Sequence, residues 1–157
     1  MIDDGRPDET EIERADRNFG ELLQELRVAQ TGVQILFAFL LTIPFAARFQ
    51  AIDDFERRVL VAALVFSAIA TACLIAPVAY HRLLFRQRLK DHIVEVTNRY
   101  AIAGLGFLVL ALTSALLVAL AEILPRWEAV AIAGGLGLLF VVLWVVLPLV
   151  RRARLDN

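Results

Sequence analysis

The chain has 157 residues, 59% of them apolar, and a mean hydropathy of +0.68, well above the ~45–50% apolar share of a soluble domain. Its formal net charge of −1 and pI of about 6.1 exclude a nucleic-acid partner, which needs a basic patch to neutralise phosphate. Cys73 is the single cysteine, so an intramolecular disulfide and cysteine-based metal sites are ruled out; between Ala72 and Leu74 it reads as a small packing residue.

Residues 1–9 (Met1-Ile-Asp-Asp-Gly-Arg-Pro-Asp-Glu9) are polar and acidic, and this composition predicts disorder. From 10 to 31, Ile12, Ala15, Phe19, Leu22, Leu23, Leu26 and Ala29 recur at spacings of three and four, opposite Glu11, Glu13, Arg14, Arg17, Glu21 and Glu25. That period predicts an amphipathic cytoplasmic helix. Thr10 with Glu13 forms a capping box to start it, and the helix either runs on into the first span or bends near Gly20 or Gly32. No cleavable signal peptide is expected, because the first apolar run follows an acidic lead of about 30 residues instead of a short basic region.

Four apolar runs then follow, at about 32–49, 59–80, 100–121 and 129–150, and Arg48 is the one charged residue within these limits. Crossing the hydrocarbon takes about 20 apolar residues, so each run predicts a membrane-spanning helix. The connection 50–58 is short and polar, 81–99 is longer and basic, and 122–128 carries Pro125 as a breaker. Residues 151–157 form a basic tail. The expected fold is all-α: an integral membrane four-helix bundle, residues 32–150, preceded by the amphipathic helix.

Orientation follows from lysine and arginine, which favour the cytoplasmic side. With both termini inside, that side carries Arg6, Arg14, Arg17, Arg27, Arg82, Arg86, Arg88, Lys90, Arg99, Arg151, Arg152 and Arg154, against Arg48, Arg57, Arg58 and Arg126 outside. The chain is therefore expected in the cell (plasma) membrane with N- and C-termini cytoplasmic. Phe49, Phe55 and Trp127 fall at the outer interface and Tyr80 and Tyr100 at the inner one, where aromatic side chains anchor.

Polar residues inside a membrane are the first candidates for function. Arg27, Gln30, Thr31 and Gln34 make one stripe at the entry of the first span, suited to a ligand, a lipid head group, a partner helix, or an interhelical hydrogen bond. Glu25 and Glu122 are the nearest titratable carboxylates, both at the edges. Ser67, Thr71, Thr113 and Ser114 can bond their own helix backbones. Small residues four apart, namely Ala63-Ser67-Thr71, Ala111-Ala115-Ala119, and Ala131-Gly135 or Ala133-Gly137, let helix backbones approach closely. The inner connection carries His81, Arg82, Arg86, Arg88 and Lys90 with an apolar side of Leu84, Phe85, Leu89, Ile93 and Val96, a match for the anionic inner leaflet. His81 and His92 are eleven apart, no metal-binding or catalytic motif is present, and no cofactor, metal or catalytic residue is expected. Pro77 and Pro148 each lie about one turn before a basic inner end, a weak parallel repeat.

The run Glu13-Arg14-Ala15-Asp16-Arg17-Asn18-Phe19-Gly20-Glu21-Leu22-Leu23-Gln24-Glu25-Leu26-Arg27-Val28-Ala29-Gln30-Thr31-Gly32-Val33-Gln34, with Ala76-Pro77-Val78-Ala79-Tyr80-His81-Arg82, resembles a family of small four-span bacterial membrane proteins of unknown function. Members often carry the label sodium:proton antiporter-like. The expected role is a non-enzymatic membrane protein, a homo-oligomeric scaffold or an accessory subunit of a larger complex with a cytoplasmic docking surface. The alternative is a small ion or proton-coupled transporter, which ordinarily needs an ionisable residue within its spans.

Overall fold

A computed structural model describes residues 11–46, 53–84 and 90–155. The fold is an all-α four-helix bundle: α1 (Glu11–Thr42), α2 (Asp54–Leu84), α3 (Lys90–Ala121) and α4 (Arg126–Val141), with α4 continuing through a π-helical turn (Val142–Val146) into α5 (Leu147–Leu155). Four stretches are long and apolar enough to cross a membrane: Leu23–Phe45, Asp54–Ala79, Val96–Ala121 and Arg126–Arg151. The protein is a multi-pass membrane protein.

The amphipathic segment and the first span form one helix. α1 is unbroken across Gly20 and Gly32, and its apolar stretch starts at Leu23, before the expected 32, because Glu25 and Arg27 at its mouth are tolerated near the interface. Thr10 and residues 1–9 lie outside the described residues, as do the side chains of Glu13 and Phe19. The span ends where Pro44 enters a 3₁₀ turn, Ile43–Phe45.

Packing follows two different periods. On α2 the buried positions are Leu60, Ala63, Ser67, Ala70, Leu74 and Pro77; on α3 they include Thr97, Ala101, Gly104, Leu108, Ala111 and Val118. α1 contributes Leu26, Val33 and Leu40, seven apart, with Gln30 and Phe37 half-buried between them. Alternating steps of three and four average 3.5 residues, the seam of left-handed helix pairs crossing at about 20°. Two core clusters result. One joins Leu26, Val33, Ala70, Leu74, Ala101 and Leu108 toward the N-terminal end of α1, and the other joins Leu40, Leu60, Ala63 and Val118 toward its far end.

α4 is different. Its buried residues are Ala129, Ala133 and Gly137, four apart, the spacing of steeper small-residue crossings whose helices diverge away from the contact point. Among the described residues the backbone of α4 lies close to that of α3 and of no other span, its side-chain tie to α2 being Arg126 at its start, and the backbone of α5 lies close only to the π turn. Every position from Val141 to Val150 is exposed. The π turn has a local cause. Pro148 has no N–H, and its ring would strike the Trp144 carbonyl of a regular helix; widening the preceding turn, with the Leu147 amide donating to the Val142 carbonyl, accommodates it.

Candidate functional site

The entry stripe of the first span does not converge on one point. Arg27, Thr31 and Gln34 are exposed, and the Thr31 hydroxyl donates to the Arg27 carbonyl of its own helix at 3.0 Å. Gln30 lies on the seam between Leu26 and Val33, and its Nε2 donates to the backbone carbonyl of Leu74 on α2. That acceptor sits one residue along from the Cys73 carbonyl, which the missing N–H of the buried Pro77 leaves without its helical donor. A proline-loosened stretch of α2 is thereby tied to α1 by an amide, an interhelical hydrogen bond of the kind worth about 0.6–2 kcal/mol.

The same level of the bundle holds its tightest contact. A Cβ on Gly104 would lie 2.8 Å from Leu74 Cγ and Cδ2 and 3.3 Å from Cys73 Cβ, so α3 reaches α2 here only because residue 104 has no side chain. Cys73 is half-buried and unpaired, consistent with packing. The second close approach is between α3 and α4, where a Cβ on Gly137 would meet Thr113 Oγ1 at 2.8 Å. Thr113 does not bond its own backbone as its residue type suggests; among the described residues its buried hydroxyl has no partner, nor does that of Thr97. Ser67 and Thr71 do bond their helix, to the Leu64 and Ser67 carbonyls at 3.0 and 2.8 Å.

The small-residue stripes are placed unevenly. Ala63 and Ser67 are buried and Thr71 half-buried; Ala111 is buried, Ala115 half-buried and Ala119 exposed. Of the two registers on α4, Ala133 and Gly137 face α3, whereas Ala131 and Gly135 are exposed, and nothing lies within 4 Å of a Cβ on Gly135. The packed faces of this chain thus leave out Ala119 and Gly135.

Glu25 and Glu122 are both exposed. Arg86 and Arg88 lie outside the described residues; His81 and Arg82 fall at the end of α2 and Lys90 and His92 at the start of α3, with their side chains outside the described set. Among the described residues no group of three or more His, Cys, Asp or Glu is placed to hold a metal.

A feature not anticipated from sequence closes the opposite end. The Asp53 carboxylate accepts the Glu56 amide at 2.8 Å while the Glu56 carboxylate accepts the Asp53 amide at 3.1 Å, a reciprocal cap on α2. Asp53 also binds Arg126 at the start of α4, and that guanidinium lies 4.6 Å from the centre of the Phe55 ring, within cation–π range. The hydrogen bond from the Glu56 amide, opposed by desolvation and aided by the Arg126 charge, holds the Asp53 carboxyl below its usual 3.8. The Asp53-Asp-Phe-Glu56 spacing was the legible signal for the cap; the Arg126 partner, 73 residues away, had none.

Comparison with curated proteins and comparison with solved structures each find no match. A family model matches residues 8–148, nearly the whole described length. The chain belongs to that family, described as a family of unknown function (DUF6328).

Proposed function

We propose that this protein is a non-enzymatic component of the cell (plasma) membrane, with both termini cytoplasmic, acting as an oligomeric scaffold or an accessory subunit whose docking surface is its inner face. The observation that carries this reading is the continuity of α1. Residues 11–22 extend the first span as an unbroken helix, a post about 18 Å long at 1.5 Å per residue, whose sequence pattern carries an acidic face, and the 81–99 connection is basic in sequence. The polar groups within the spans support it too. Gln30, Ser67 and Thr71 serve helix carbonyls, whereas proton-coupled exchange calls for an ionisable group held in the membrane, and Glu25 and Glu122 are exposed near the span ends.

The test is the assembly state of the full chain in mild detergent, read by native mass spectrometry. A defined homo-oligomer, or a stoichiometric partner, that is lost when Glu21 and Glu25 are changed to Lys supports the reading. Sodium-dependent proton movement in proteoliposomes that disappears in Glu25→Gln would overturn it in favour of a transporter.

A further inference from the structure

α4 lies close to α3, whereas among the described residues neither the π turn nor α5 does, so the far half of the fourth span and the α3 face below their contact are both uncovered, an apolar wedge with arginines at its end. Thr113 meets Gly137, and at helical spacings the same α3 face continues through Leu110, Gly106 and Ile102. All three are exposed, Ile102 at 60%, and a Cβ on Gly106 would find nothing within 4 Å. Beyond Gly137 the fourth span continues through Val141–Val150, exposed at every position. In a bilayer such a cleft is filled by hydrocarbon, and its end determines which hydrocarbon. The α3 face ends at the exposed Arg99, and the facing helix ends in Arg151 and Arg154, also exposed; neither of the latter two has an ion-pair partner among the described residues. Exposed arginines at the head-group level of an apolar wedge complement a phosphate with two acyl chains below it.

We propose that this cleft seats an anionic phospholipid, its acyl chains between Gly106 and Trp144 and its phosphate held by Arg151 and Arg154. A bare small-residue face on α4 would not distinguish lipid from a second helix; the arginines at the mouth do, because they add a demand for negative charge that a second copy of this chain, with Arg99, Arg151 and Arg154 at the same level, does not meet.

Trp127 and Trp144 are the two tryptophans, so Trp127→Phe makes Trp144 the sole reporter. The full chain is reconstituted in phosphatidylcholine vesicles containing a minor fraction of lipid brominated on its acyl chains, with either a phosphatidylglycerol or a phosphatidylcholine head. Brominated phosphatidylglycerol is expected to be enriched at Trp144 over its neutral counterpart by about fivefold per arginine, the effect of one basic residue near an anionic surface. Arg151→Gln with Arg154→Gln should remove the preference, the two Lys variants should restore most of it, and Gly106→Phe should block quenching while the arginines remain. Equal quenching by both head groups would mean bulk lipid and overturn the proposal. So would absence of quenching by either, which would mean that protein covers the cleft, and so would a preference unchanged in the glutamine variant or in Gly106→Phe.

Discussion

Gly104 and Gly106 are two residues apart on α3, yet the same substitution should have opposite effects on them. A methyl group at 104 would lie 2.8 Å from two atoms of Leu74, whose side chain is fully buried and has nowhere to retreat. Overpacking of this kind costs about 1–3 kcal/mol, against a helix-propensity gain of up to about 1 kcal/mol for replacing glycine by alanine, so Gly104→Ala should lose about 1–2 kcal/mol. At 106 the added methyl meets open space, only the propensity gain remains, and Gly106→Ala should be neutral or stabilising by up to about 1 kcal/mol. A double-mutant cycle sharpens the argument. Leu74→Ala alone should cost about 2–5 kcal/mol, but it removes the atoms that the new methyl strikes. The pair Gly104→Ala with Leu74→Ala should therefore be less damaging than the sum, by a coupling of about 1–2 kcal/mol. The assay is reversible unfolding in mixed micelles, followed by helical circular dichroism as denaturing detergent is added. Equal effects at 104 and 106, or strict additivity in the double variant, would refute the close α2–α3 contact.

Thr113→Val keeps the shape of the side chain and deletes a buried hydroxyl that has no partner, so stability in the same titration should rise by about 1 kcal/mol; a loss would show that the hydroxyl is bonded. Gln30→Leu removes the donor to the Leu74 carbonyl and should cost about 0.6–2 kcal/mol, whereas Gln34→Leu, at an exposed position, should change little; equal losses would refute the assignment of Gln30 to the seam. The Asp53 tie should depend on pH with a definite sign. Its carboxyl is held below 3.8 in the folded protein, so its contribution is complete above the unfolded value and is lost as pH falls through the lower folded one. Spin labels at Arg57 and Glu128 should report a constant separation from neutral pH down through the ordinary carboxylate range and a wider one only on acidification below it. Asp53→Asn, which retains a capping oxygen, should widen it already at neutral pH; a separation indifferent to both would mean that Asp53 and Arg126 do not hold the two ends together.

The spans were legible because what marks them is an absence: no charge for the length of a bilayer crossing, a property that needs no knowledge of neighbours. Which face of each span packs was legible only in part. On α2 Ala63 and Ser67 lie on the four-residue stripe of small residues and are both buried, so that part of its packed face was legible, whereas Leu60 and Leu74 on the same face look like the large residues exposed elsewhere. On α4 small residues at 131, 133, 134, 135 and 137 cover most of the circumference, and the register that packs is decided by where Thr113 leaves room, a fact about α3. The entry stripe shows the same limit. Four polar residues at spacings of three and four span more than one side of a helix, and of these only Gln30 coincides with the 26–33–40 seam. The sequence leaves open whether the amphipathic segment joins the first span, because Gly20 and Gly32 permit either a bend or a continuous helix; neither has a neighbour within 4 Å of a Cβ, and the helix runs through them.

Two packing periods in one small bundle have a mechanical consequence. α1, α2 and α3 share a 3.5-residue seam, which keeps helices in register over their whole length, and the polar bond from Gln30 and the glycine contact at 104 both lie within it. α4 follows a four-residue face and joins the others through Ala129, Ala133 and Gly137 near one end, where Arg126 adds its tie to Asp53 and Phe55. A helix whose contacts among the described residues lie at one end is a lever whose contact free energy is concentrated in its first three turns. Its far half, which passes through the π turn ahead of Pro148, contributes no backbone contact with another span among the described residues and presents its surface to the membrane.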